Sequence, residues 1–192
     1  MKHIYIDNKS KKTLILLHGT GGDEHDLLEV AKFIDEEANI LSLRGNIKEN
    51  GMNRFFKRIS VGVYDIENYL KETKNLLNSI LAYSNHYNFS LENATIIGFS
   101  NGANIAIGLL QTNPIIKKYI LFSPDFINPE SPFKDLSEVS LFITNADNDP
   151  YVNKETMKVL LNRLGERVTL YPTTRHQITY DALMESRSWY RK

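Results

Sequence analysis

Short runs rich in aliphatic and β-branched residues alternate along this chain with longer stretches in which apolar residues recur every three or four positions. The runs at Ile4 to Ile6, Thr13 to His18, Ile40 to Leu43, Ala94 to Gly98, Lys118 to Phe122, Val139 to Thr144 and Val168 to Tyr171 read as strands. Several are apolar on both faces, as a buried parallel sheet requires. Between them, Ile66, Tyr69, Leu70, Thr73, Leu76, Leu77, Ile80 and Leu81 form one stripe of an amphipathic helix. Leu27, Leu28, Ala31 and Ile34 predict a second helix, and Met157, Leu160, Leu161 and Leu164 a third, closed by Gly165 as a C-cap. This alternation predicts right-handed βαβ crossovers and an open, mostly parallel sheet with helices on both faces. Functional groups in such sheets gather at the carboxyl ends of the strands. No repeat, low-complexity tract or linker interrupts residues 1–192, so one domain is expected.

The strongest chemical signal lies at one of those strand ends. Gly98-Phe99-Ser100-Asn101-Gly102 follows the run Ala94 to Ile97 and precedes the helical run Ala103 to Gln111. Strand, sharp turn and helix around Gly-x-Ser-x-Gly form a nucleophile elbow, whose glycines are needed because side chains would collide in the tight turn. Ser100 then projects at a helix N-terminus, where backbone N–H groups favour developing negative charge.

A serine hydroxyl attacks only when a base removes its proton. With this elbow the chain order is serine, acid, histidine, and His176 is the one histidine after Ser100. His3, His25 and His86 read as surface residues, and His18, before Gly19, as a brace for its loop. The orienting acid should follow a strand, and Asp147 and Asp149 both follow Val139 to Thr144, with Asp125 a third choice after Phe122. Acyl transfer also needs oxyanion donors, which the elbow pattern assigns to the backbone N–H groups of Asn101 and of Thr20 in the loop after His18-Gly19.

Composition narrows the alternatives. Lysine plus arginine equals aspartate plus glutamate at 23 each, so no net field holds the chain on nucleic acid or anionic lipid. The absence of cysteine excludes a disulfide framework and a thiolate nucleophile, and suits the cytoplasm, the expected location. Leu14 to Leu17 is too short an apolar run for a signal peptide or a membrane span. The glycine-containing loop from His18 to Asp23 lacks the lysine of a phosphate-binding loop and the spacing of a dinucleotide fingerprint. No histidine pair has helical ligand spacing and there is no cysteine, so no metal is expected, and two-step acyl transfer requires no cofactor.

Together these residues resemble the phospholipase/carboxylesterase family of small bacterial α/β-hydrolases related to acyl-protein thioesterases. The resemblance is carried by LLHGTGGDEHDLL at 16–28, LSLRGNIKENGMNRFFKRIS at 41–60, IIGFSNGANIA at 96–106, NDPYV at 148–152 and RHQIT at 175–179. The middle block is similar to the subgroup linked to hydroquinone and quinone response. The resemblance implies an α/β-hydrolase fold, hydrolysis of small carboxylic esters or thioesters, and a triad of Ser100, Asp149 and His176. It also implies a substrate pocket shaped by Arg44, Phe55, Phe56 and Arg58. Arg175 stands where these enzymes usually carry glycine before the histidine, and is expected to crowd the pocket. It is the one feature favouring a sensor that has lost turnover. Asn153 replaces a frequent proline. No insertion between the strands at 118–122 and 139–144 is long enough for a helical lid, so the site is expected to be open to small-molecule esters.

Overall fold

The computed structural model describes residues 1–192. Seven strands form one sheet: β1 (His3–Ile6), β2 (Thr13–Leu17), β3 (Asn39–Leu43), then β8 (Ala94–Phe99), β9 (Lys118–Phe122), β10 (Ser140–Ala146) and β11 (Val168–Thr173). Their spatial order is β1-β3-β2-β8-β9-β10-β11, and every pairing is parallel except β1 against β3. From β2 the chain steps outward one way to β3, and from β8 the other way through β9 and β10 to β11. The order therefore reverses between β2 and β8, which opens a crevice at their carboxyl ends.

Alternation along the strands builds two cores. Leu14 and Leu16 face one way, with Leu27, with Ala31 and Ile34 of helix α1 (Leu28–Ile34) and with Ala182 and Tyr190 of α5 (Tyr180–Tyr190). Ile15 and Leu17 face the other, against α2 (Ile66–Tyr87), α3 (Asn101–Thr112) and α4 (Lys154–Leu164). Both faces of β2 are thus dry, which is why all five of its residues are buried. Helix α3 is buried along its length from Asn101 to Gln111, so its apolar character runs all round rather than along a stripe. The stripe expected on α2 is narrower than the sequence suggests. Tyr69, Thr73, Leu76 and Ile80 point inward, whereas Leu70 and Leu81 lie on the flank and are exposed. Glu72 and Ser84 complete the buried face instead.

The stretch between β3 and α2 holds two small hairpins that the periodicity did not reveal. They are β4 (Ile47–Glu49) with β5 (Met52–Arg54), and β6 (Arg58–Ser60) with β7 (Val63–Tyr64). Their strands are two or three residues long, too short to display a period, and they rise over the crevice between β2 and β8.

Candidate active site

Ser100 occupies the turn between β8 and α3 with φ of 50°, a left-handed value that side chains other than glycine rarely adopt. Its N–H donates to the Phe122 carbonyl (2.9 Å), which ties the strained turn to β9. The flanking glycines are dictated by contact. A Cβ on Gly98 would sit 2.8 Å from the Ala103 backbone, and one on Gly102 would sit 2.0 Å from the Leu17 carbonyl oxygen. The close approach at Gly102 lets the start of α3 lie directly on the end of β2.

The loop after β11 carries His176 and the turn after β10 carries Asp149. His176 Nδ1 lies 2.6 Å from Asp149 Oδ2 and Nε2 lies 2.8 Å from Ser100 Oγ. A carboxylate only accepts, so Nδ1 bears the proton and donates to Asp149, leaving Nε2 to accept from the Ser100 hydroxyl. The Asp149 side chain is 1% exposed and that of His176 15%, so the pair is shielded from water while the imidazole edge stays reachable. Asp149 Oδ1 also accepts the Tyr151 N–H (2.9 Å), and the rings of Tyr151 and Phe99 pack against the imidazole at centroid distances of 5.0 and 5.4 Å.

The competing acids have other surroundings. Asp147 is exposed. Asp125 is buried, its Oδ1 accepting from the N–H groups of Phe126 (3.0 Å) and Asn153 (3.1 Å) and the Thr156 hydroxyl, and its Oδ2 from the Tyr64 hydroxyl. Burial pushes the Asp125 carboxyl above its ordinary value against those hydrogen bonds, and burial beside it raises Tyr64 to about 12.

The N–H groups of Thr20 and Asn101 have no acceptor among the backbone carbonyls, and both residues line the cavity that contains Ser100. Residues 53–55 hold both in position. The Gly21 N–H donates to the Asn53 carbonyl (2.9 Å), Asn53 Nδ2 to the Gly22 carbonyl (2.8 Å) and Arg54 Nη1 to the Thr20 hydroxyl (2.7 Å). The next residue, Phe55, donates its N–H to Asn101 Oδ1 (2.7 Å). His18 braces the same loop as expected. Its Nε2 accepts the Gly45 N–H (3.0 Å), so Nδ1 carries the proton and donates to the Gly19 carbonyl (2.6 Å). Burial lowers its pKa and keeps it neutral.

The sequence model of the phospholipase/carboxylesterase family matches residues 4–192. The chain belongs to that family of hydrolases. It is 38% identical to the hydrolase MhqD of Bacillus subtilis (strain 168), over all of this chain and 98% of that protein. The crystal structure of a Bacillus cereus carboxylesterase is similar over the whole chain and 93% of its own length, with 37% identity and a TM-score of 0.93. A structure of YahD with malic acid is similar over 99% of this chain and 98% of that one, with 28% identity and a TM-score of 0.87. No helix of this family member is long and apolar enough to cross a membrane.

Four of the side chains expected to shape the pocket do not line it. Phe55 and Phe56 are 1% and 0% exposed and belong to the core beneath the hairpins. Arg44 is held away by Glu24 and by Asp23 (3.1 Å). Arg175 is exposed beside the histidine, and because its φ is not positive the backbone makes no demand for glycine there. Arg58 does line the cavity, together with Met52, Arg54, Val61 and Tyr64 from the same two hairpins. The segment before α2 thus supplies much of one side of the site, while the stretch between β9 and β10, where no lid was expected, contributes Ser123 and Asp125. Asn153 also has a function that proline would forfeit. Its side chain caps α4 by accepting from Glu155 and Thr156, and its N–H binds Asp125.

Proposed function

We propose that this chain is a serine carboxylesterase that hydrolyses small carboxylic esters through an acyl-Ser100 intermediate. The observation that carries the reading is the unbroken hydrogen-bonded line from Ser100 Oγ through His176 to a buried Asp149. In the first half-reaction Ser100 Oγ attacks the ester carbonyl while His176 Nε2 takes its proton and then gives it to the departing alkoxide. Water, deprotonated by the same nitrogen, hydrolyses the acyl-serine in the second. Asp149 keeps the Nδ1–H tautomer and stabilises the imidazolium that forms in each step. The N–H groups of Thr20 and Asn101 receive the oxyanion, with the positive end of α3 behind Asn101.

Family membership and the likeness to a Bacillus cereus carboxylesterase support an ester substrate. A cavity of about 510 Å³, together with the similar YahD having been solved with malic acid, supports a small one. A fluorophosphonate probe tests the reading. It should add one phosphonyl group to the peptide containing Ser100, with ester hydrolysis lost in proportion to labelling. Labelling elsewhere, or full activity in labelled protein, would contradict it.

A further inference from the structure

On one side of the cavity beside Ser100, two guanidiniums share a single carboxylate. Arg54, at the end of β5, is 3% exposed, and Arg58, on β6, is about three-quarters buried. Both turn their Nε toward one carboxylate, Glu49, at 3.4 and 2.6 Å. The other partners of Arg54 are neutral, the Phe56 carbonyl (3.2 Å) and the Thr20 hydroxyl (2.7 Å). Arg54 Nη2 and both Nη atoms of Arg58 donate to nothing in the protein. Burying a guanidinium is costly unless its donors are paired, and here one anion serves two cations.

The carboxylate on the cavity wall, Asp125, is occupied. It already accepts from Phe126, Asn153, Thr156 and Tyr64. It makes the Tyr64 side of the cavity unfavourable for an anion and the arginine side favourable. Size adds a second constraint. A volume of 510 Å³ corresponds to a space about 10 Å across, which accommodates a short acyl or alcohol group. An alkyl chain pressed against these guanidiniums would desolvate them without return, whereas a carboxylate would meet their free Nη donors.

We infer that the cavity selects small esters that carry a free carboxylate besides the ester group, bound at Arg54 and Arg58. This rests on the esterase reading, since it names the substrate class of that same site. The carboxylate can lie on the acyl side, as in a half-ester of a dicarboxylic acid, or on the alcohol side, as in an acylated hydroxy acid.

Two substrate pairs test it. The first is p-nitrophenyl hemisuccinate against p-nitrophenyl butyrate, and the second is O-acetylglycolate against ethyl acetate. In at least one pair kcat/KM should favour the charged ester by about tenfold or more at low salt, with the preference shrinking as ionic strength rises. The pair showing it identifies the side. Arg58→Gln should cut that preference at least fivefold and Arg58→Lys should retain part of it. Arg58 is the discriminating position because Arg54 also holds Thr20. Should Arg58→Gln fold poorly, inhibition of the wild-type protein replaces it, with succinate competing against p-nitrophenyl butyrate and neutral 1,4-butanediol failing to do so. Neutral esters cleaved as fast as charged ones in both pairs, or a preference unchanged in Arg58→Gln, would overturn the inference and leave the esterase reading standing. Hydrolysis of none of the four would overturn both.

Discussion

Replacing Asp149 by asparagine changes one atom of the site and should disable it through the imidazole tautomer. Asp149 Oδ1 accepts the Tyr151 N–H at 2.9 Å, and that N–H can only donate. Asparagine must therefore keep its carbonyl oxygen on Tyr151 and turn its NH₂ toward His176 Nδ1, now 2.6 Å from a donor instead of an acceptor. The ring responds by placing its lone pair on Nδ1 and its proton on Nε2. Ser100 Oγ, 2.8 Å from Nε2, then faces a donor and has no base. In a serine protease the same change costs about 10⁴ in kcat, and a loss of about 10² to 10⁴ is expected here, or about 2.7–5.4 kcal/mol of barrier. The fold should survive, because one hydrogen bond to Nδ1 replaces another and each contributes only about 1 kcal/mol. The assay is steady-state hydrolysis of p-nitrophenyl acetate by the wild type, Asp149→Asn and Asp147→Asn, with thermal unfolding of each. Asp147 is exposed, so its variant should stay within about twofold. A kcat within tenfold of wild type for Asp149→Asn, or a hundredfold loss in Asp147→Asn, would refute the reasoning.

Three further outcomes follow from the geometry. Gly102→Ala should destabilise the protein by about 2–4 kcal/mol in denaturant unfolding, since its Cβ would lie 2.0 Å from the Leu17 carbonyl oxygen; a loss under about 0.5 kcal/mol would mean the elbow is not sterically locked. Arg175→Gly should change kcat/KM by no more than about twofold for acetates and bulky esters alike, because Arg175 is exposed and outside the pocket lining; a selective gain for bulky esters would restore the crowding first expected. Glu24 is buried, which alone would raise its pKa. Hydrogen bonds from a backbone N–H, Arg44 and Lys2 outweigh that and hold it at about 2, below its ordinary 4.5. Its stabilisation is therefore complete above pH 4.5 and lost as pH falls toward 2, so Glu24→Gln should be less stable than wild type at pH 7 by about 1–2 kcal/mol, allowing for solvent screening. The difference should close between pH 4.5 and 2, and an unchanged gap at pH 3 would sink the argument.

The elements that were legible in the sequence are those whose burial is extreme or whose chemistry is local. The dry strand β2 reads as an unbroken apolar run, and the elbow reads directly because Gly98 and Gly102 are each forced by a backbone contact. His176 needed only chain order. Choosing Asp149 over Asp147 and Asp125 by residue type alone was not possible, since all three follow strands. What separates them is burial and partners, which the sequence does not carry. The pocket was the least legible part. Part of its wall is two hairpins too short for a period, and the aromatic pair Phe55-Phe56 suggested a pocket surface when it is core. The neighbouring Arg54 and Arg58, in the same block of sequence, are the ones that reach the cavity. The hydrogen bonds by which Asn53, Arg54 and Phe55 hold Gly22, Thr20 and Asn101 left no signal, because bonds across 31 to 46 residues depend on how the loops fold over the sheet.

The claim on which the rest depends is that Ser100 forms the acyl intermediate, and removing its oxygen tests this most directly. Ser100→Ala deletes the proposed nucleophile and leaves the backbone N–H of residue 100 on Phe122, the amides of Thr20 and Asn101 and the cavity in place. On p-nitrophenyl acetate kcat should fall by about 10⁴ to 10⁶ while the thermal unfolding midpoint stays within a few degrees of wild type. A folded Ser100→Ala protein that hydrolyses the ester at near wild-type rate would contradict the account.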